Sequence, residues 1–199
     1  SFSPSDTMRS FGVSFLVRAS GDGTVAAVAG QTLDYSVARL EYGRRRQLVD
    51  VYNLAPSGRT RTRVAVANRR LTYTSSSGET VSSTVNAADG GWHHVVLSHY
   101  ASRGETLLFV DGDRAGSVAE RLQPEQFVLG GAGVTANAAP DQADYKDWMV
   151  HRAGLNADEA RAMHAGTLLQ ASLEIYAPLS GAGDAVAENL AQSLSVVEV

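Results

Sequence analysis

The chain has no cysteine, which excludes disulfides, thiolate metal sites and thiol nucleophiles together. It has one lysine, Lys146, so arginine carries nearly all of its positive charge. No apolar run approaches the roughly 18 residues of a membrane-spanning helix, so no membrane insertion is expected. The opening SFSPSDTMRS has no basic stretch followed by an apolar one, and any secretion signal is expected to lie outside these residues or to have been removed. There is no repeat at a solenoid or propeller period, no Gly-x-Ser-x-Gly elbow and no His-Glu-x-x-His pair. A net charge of −4 argues against a nucleic-acid partner.

What is present reads as β structure. At 199 residues with 44% hydrophobic content, the chain suffices for one sandwich domain over residues 1–199. Residues 11–17 alternate Phe11, Val13, Phe15 and Val17 against Gly12, Ser14 and Leu16, a period-two strand with one mainly apolar face. Gly21-Asp22-Gly23 predicts a turn into a second strand at 24–29, forming a hairpin with the first. Further strands are expected at 35–42 and 46–53, with a loop at 55–58, then at 59–67, 71–75 and 80–85. Residues 114–119, 127–129, 145–152, 173–176 and 193–199 complete the strand pattern. One helix is expected near 155–166, with Asn156 as N-cap, Glu159 at N3 and Gly166 at C′.

Residues 90–112 carry the clearest signal. Trp92, His94, Val96 and Ser98 alternate with His93, Val95, Leu97 and His99, which puts apolar groups on both faces of an interior strand. A turn at 102–104 leads to a second such strand, Thr106 to Val110, closed by Asp111-Gly112. Trp92, Val96, Leu107, Phe109 and Trp148 are expected in the core. This Trp-His-x-Val strand followed by Leu-Phe-Val-Asp-Gly resembles the central hairpin of laminin G-like, concanavalin A-like domains. The spacing of Asp147, Leu155 and Glu159 resembles a C-terminal signature of the same family. The resemblance implies an all-β, two-sheet antiparallel jelly roll with one short C-terminal helix. It also implies a bacterial module of a larger chain, in an extracellular, periplasmic or cell-surface setting. In this family another strand usually precedes the one at 11–17. Either 173–176 or 193–199 is therefore expected to pair with an N-terminal strand.

The same fold hosts lectins and glycanases. The Glu-x-Asp-x-x-Glu strand of the glycanases is missing, and the clustered acids Asp141, Asp144, Asp147, Asp158 and Glu159 are spread over loop, strand and helix cap. Gly131-x-Gly133-x-x-Ala136 reads as a loop, since no βαβ unit surrounds it. His93 and His94 point to opposite faces and cannot share a metal; His94 reads as a hydrogen-bonded histidine inside the sandwich. Asp111 and Asp113, in a tight turn, and Asp147 are weak calcium candidates, and no other cofactor is implied. Asp111 reads first as a turn residue bonding its own backbone.

The sharpest functional hint is basic. Nine of the 17 basic residues lie between Arg39 and Arg70, where the only acids are Glu41 and Asp50. Arg59, Arg61 and Arg63 fall on one strand face, close to Arg44, Arg45 and Arg46 if the two strands are adjacent, and present forked donors for carboxylate or sulfate. Arg46, Asp50 and Tyr52 share an alternating set that should leave the core. Tyr35, Tyr42 and Tyr52 are the stacking candidates for sugar rings. The expected function is a non-catalytic recognition module for a glycan. The alternatives are an extracellular protein partner, an adhesive or structural role, or a glycoside hydrolase of the concanavalin A-like class.

Overall fold

The computed structural model describes residues 1–43, 46–130, 143–179 and 186–198; Arg44, Arg45, the glycine loop at 131–136 and Asp141 lie outside them. Two antiparallel sheets pack face to face. The first has six strands in the order β11-β10-β1-β6-β7-β8 and the second five, β5-β4-β3-β2-β9. The six-stranded sheet is built from β1 (Phe11–Ala19), β6 (His93–Tyr100), β7 (Glu105–Val110), β8 (Asp113–Ala119), β10 (Ala143–His151) and β11 (Leu173–Ala177). The other contains β2 (Gly23–Tyr42), β3 (Gln47–Ala67), β4 (Arg70–Thr74), β5 (Thr80–Ser82) and β9 (Leu122–Leu129). β12 (Val186–Ala187) and β13 (Val197–Glu198) pair as a separate two-stranded sheet.

The central hairpin forms as its sequence requires. β6 pairs with β7 from Val95↔Val110 to Tyr100↔Glu105. Asp111 and Gly112, with φ of 54° and 84°, make the two-residue turn into β8 that demands positive φ twice. Both faces of β6 are buried, against different partners. Val95 and Leu97 face the second sheet and join Phe11, Val13, Phe15, Val17 and Trp148 in the main core. Val96, Leu107 and Phe109 point outward and are covered by Leu155, Ala160 and Met163 of helix α1 (Ala157–His164) and its lead. The helix starts at a full capping box: Asn156 accepts from the N–H groups of Asp158 and Glu159, and Glu159 accepts from Asn156.

Several expectations are overturned. β1 and β2 are not a hairpin; the chain crosses between sheets at Gly21, because both edges of β1 are taken, by β6 and by β10. The 173–176 strand joins that sheet beside β10, two strands from β1, and 193–199 contributes only β13, so neither pairs with an N-terminal strand. The N-terminal lead is itself structural: Phe2 bridges Phe127 and is buried, as is Met8. Trp92 is not core. It precedes β6 on the outer side of the sheet beyond the helix, half-buried beneath Lys146 Nζ and Arg18 Cζ at 4.1 and 5.0 Å from its ring.

The most consequential difference concerns β2 and β3. Four expected strands and a loop are two strands of 20 and 21 residues, paired throughout. Gly30 permits the passage into the longer strand, since a Cβ there would lie 2.1 Å from the Gln123 carbonyl oxygen on β9. Beyond Leu33 and Pro56 neither strand has another neighbour among the described residues. Residues 34–42 and 47–55 therefore leave the sandwich as a two-stranded arm.

Candidate functional site

The site is built on the outer side of the five-stranded sheet. On β3, Thr62, Val64 and Val66 are buried while Arg59, Arg61 and Arg63 are exposed, so the arginine row points away from the sandwich as the alternation predicts. The antiparallel rise separates successive members by about 7 Å, and the row covers roughly 14 Å. Opposite it on the same face lie Gln31, Ala29 and Ala27 of β2 and, beside Arg63, Thr74 of β4.

Simple alternation along β3 puts Tyr52 and Asp50 on the other face from Arg59. The register reverses this. Thr32 is opposite Gly58 and Leu33 opposite Pro56, so Ser57 is an extra residue in β3, a bulge that shifts its alternation by one. Arg59 pairs with Gln31, Tyr52 with Val37 and Asp50 with Arg39. All three β2 partners are odd-numbered, and directly opposed residues share a face. One continuous face thus runs from Arg63, Arg61 and Arg59 on the body to Leu54, Tyr35, Tyr52 and Val37 on the arm. Tyr35 and Tyr52 are 54% and 66% exposed, wide enough for a ring to stack on them. The Arg121 guanidinium, 4.7 Å above the Tyr35 ring, fixes Tyr35 from the body.

Other expected members are placed differently. Asp50 accepts from Arg39 Nε at 2.9 Å across the arm, an ion pair that braces the ribbon. Arg46 is at the arm's tip with φ of 51°, 4.0 Å from Glu41, and about 40 Å along the strand from Arg59. It does not join the row. Tyr42 pairs with Gln47 on the opposite face of the arm.

The histidines divide as their alternation requires. His93 is held between Asp111 Oδ2, 2.9 Å from Nδ1, and Asp89 Oδ1, 3.1 Å from Nε2. Burial lowers its pKa, but the two carboxylates outweigh burial and the net shift is upward. His94 is buried, though beneath the helix and not between the sheets. Its Nε2 is 2.8 Å from Ser14 Oγ and its ring stacks on His164 with centroids 5.8 Å apart. Burial, then the neighbouring His164, lowers it to about 4, so it is a neutral imidazole. Its Nδ1 has no partner, so no acid orients it as a serine-activating base requires.

No protein-family model matches the chain, and no curated protein matches it by sequence. Solved structures do resemble it. A candidate carbohydrate-binding protein from Bacteroides ovatus ATCC 8483 superposes with a TM-score of 0.66 at 12% identity, covering 99% of this chain and 54% of that one. A heptameric SAP-like pentraxin from Limulus polyphemus gives 0.52 at 12% identity, over 82% of this chain and 72% of its own. The fold is the laminin G-like, concanavalin A-like jelly roll. This jelly roll spans about half the length of the Bacteroides protein. A Trypanosoma rangeli sialidase also superposes, with a TM-score of 0.52 at 16% identity, over 78% of this chain but only 22% of the enzyme.

Calcium on rim loops, which the jelly roll resemblance implies, does not fit the candidate acids. Both Asp111 oxygens are engaged, one by His93 and the other by the His94 backbone N–H at 2.8 Å. Asp111 thus ties the turn to β6 and does not bond its own backbone. Asp113 is exposed on β8, and Asp147 sits on β10 at φ 54° beside the Tyr176 hydroxyl. Among the described residues no three His, Asp or Glu side chains gather as a metal ion needs, and no helix is long and apolar enough to cross a membrane.

Proposed function

We propose that this jelly roll is a non-catalytic recognition module that binds an anionic glycan, carboxylated or sulfated, on the outer face of its five-stranded sheet. The observation that carries this reading is the Ser57 bulge, which aligns three exposed arginines with Tyr35 and Tyr52 on one face. Guanidinium forks suit carboxylate and sulfate, and the tyrosine rings offer an apolar platform for a sugar. The likeness in fold to a candidate carbohydrate-binding protein supports the same class of ligand. A hydrolase reading is less well supported, because Asp50 and Glu41 on this face are held in ion pairs with Arg39 and Arg46. Recognition of such a glycan suits an extracellular, periplasmic or cell-surface setting.

Exposed charges are screened over about 8 Å at physiological ionic strength, so binding should weaken steeply with salt. A sulfated-glycan column and a glycan array, each run at low and moderate salt, test the proposal. Retention at low salt should be lost in the Arg61→Ala/Arg63→Ala variant. Tyr52→Ala should weaken binding without changing its salt dependence. Retention unchanged in the double arginine variant would leave the row a solvated face. Turnover of the bound polysaccharide would overturn the non-catalytic reading.

A further inference from the structure

The outer side of the six-stranded sheet carries a cavity of its own. Helix α1 covers Val96, Leu107 and Phe109 there. Where the chain leaves the helix, Met163, His164 and residues 166–168 roof a space of about 190 Å³, the liquid volume of roughly six waters. Its floor crosses four strands, from Tyr176 on β11 through Asp147 and Met149 on β10 and Leu16 on β1 to His94 on β6.

Polar groups short of partners stand at both ends. Ser14 lies opposite Met149 and Leu16 opposite Lys146, so Asp147 and Trp148 together answer to Phe15 alone, a bulge in β10. Asp147 has a φ of 54°, a conformation Asp adopts more readily than most residues. It is left half-buried in the cavity wall, and its side chain has one long contact, with the Tyr176 hydroxyl at 3.5 Å. On the same sheet Asp144, Glu105 and Glu174 are matched by Arg18, Arg114 and Arg152. Asp147 has no cation among the described residues, because Lys146, its neighbour in the chain, sets its ammonium over the Trp92 ring instead. At the far end His94 is 6% exposed. Its Nε2 is bonded to Ser14, and its buried Nδ1 has no partner, a rare and costly state for a buried polar atom.

We infer that this cavity is a second binding site, for a small primary amine whose chain ends in a hydroxyl. The ammonium supplies the charge that Asp147 lacks, through charge-assisted hydrogen bonds, with the Tyr176 oxygen as a second acceptor beside it. The methylenes lie over Leu16 and Met149 beneath Met163, and thioether side chains adapt readily to an unbranched chain. The terminal hydroxyl both donates and accepts, so it satisfies His94 Nδ1 in either tautomer. Only β1 separates β10 from β6, which puts Asp147 and His94 about 10 Å apart. A chain of about five methylenes spans that distance with a hydrogen bond at either end. An anion of the same length is repelled by Asp147, and a neutral chain leaves that carboxylate unmatched.

The probe is 5-aminopentan-1-ol, with 1,5-pentanediol and pentanoate as the neutral and anionic controls. Calorimetry and NMR on the intact chain at neutral pH, where an alkylamine keeps its proton, should show one saturable site in the millimolar range or below. Both controls should bind at least about tenfold more weakly. The ring resonances of His94 should shift on binding, and those of His99, buried between the sheets, should not. Asp147→Asn keeps a residue that accepts positive φ and removes only the charge; it should weaken the amine by about tenfold or more. Asp113→Asn, at an exposed acid of β8, should leave binding unchanged. The comparison of amine with diol needs no variant and does not depend on Asp147→Asn folding. An amine that does not saturate, a diol that binds as tightly, an unmoved His94 ring or full affinity in Asp147→Asn would overturn the inference. None of these readouts uses an anionic glycan, so this site stands or falls apart from the face on the other sheet.

Discussion

His99, on β6, reaches across the sandwich to the other sheet. Its Nε2 accepts the N–H of Leu122 at 3.2 Å, so its proton is on Nδ1, which donates to Thr106 Oγ1 at 2.8 Å. Thr106 in turn donates to Glu120 Oε1 at 2.6 Å, and Tyr73, from β4, donates to the same oxygen. Burial above all lowers His99 to about 4, as it does His94. Unfolding restores both from about 4 to the usual 6.5. Between those values the unfolded chain therefore binds more protons, and stability falls as pH falls through the window. His93 acts in the opposite sense. Its folded pKa is raised, so its contribution is present below about 6.5 and is lost as pH rises through the raised value. Burial lowers His151 as well, so three depressed imidazoles outweigh one raised one, and each unit of depression is about 1.4 kcal/mol. The urea midpoint should drop markedly between pH 7 and pH 4.5. A flat profile over that range would show that these rings protonate without cost to the fold.

At the scale of elements, the arm and its bulge decide what the binding face contains. Deleting Ser57 should remove the bulge yet keep Tyr52 on the arginine face, because Tyr52 and Arg59 are then an even six residues apart and Pro56 and Gly58 already oppose Leu33 and Thr32. The sandwich core should persist, with little change in melting temperature, and affinity for the sulfated glycan should be retained. A loss of affinity as large as that of Tyr52→Ala would show that the twist imposed by the bulge, and not the shared face alone, shapes the site. The same element shows where the sequence was legible. The arginine row, the central hairpin, the Asp111-Gly112 turn and the Asn156 cap follow from alternation and local chemistry, which act over a few residues. The bulge does not, because Ala55-Pro56-Ser57-Gly58 reads as a loop until Leu33 is seen opposite Pro56. Trp92 misleads for a related reason. Its motif and size suit a core position, but β6 begins only at His93, and the ring ends at the rim under Lys146 and Arg18. The partner of β1 was equally hidden, since β10 lies more than a hundred residues away in sequence.

The whole molecule is closed by its C-terminal segment. Ile175, Ala177 and Val197 are in the main core, and Glu174 binds Arg152 at 2.6 Å while Asp6 of the N-terminal lead holds the same guanidinium at 2.7 Å. These contacts raise Arg152, with its hydrogen bond to Glu174 the leading cause, and the same bond lowers Glu174. Removing residues after Gly166 strips β11 from β10 and exposes both a hydrophobic edge and the core beneath it. The truncated chain should be insoluble or lose its cooperative melt. A monomer melting with unchanged cooperativity would show that the sandwich closes without this segment.

The topology also imposes an order of assembly. β2, β3, β4 and β5 are consecutive in sequence and joined as successive antiparallel neighbours, so most of the five-stranded sheet needs only short loop closures. β1 must wait for β6 and then for β10, and closures of that span are slow. During synthesis the arm, with its uncovered Leu40 and Tyr42, therefore exists while β1 still has open edges. Two neighbouring nascent chains in this state can exchange strands, β1 of one taking β6 or β10 of the other. Refolding yield should accordingly decline as chain concentration rises, through exchange of strands between copies and not through simple precipitation.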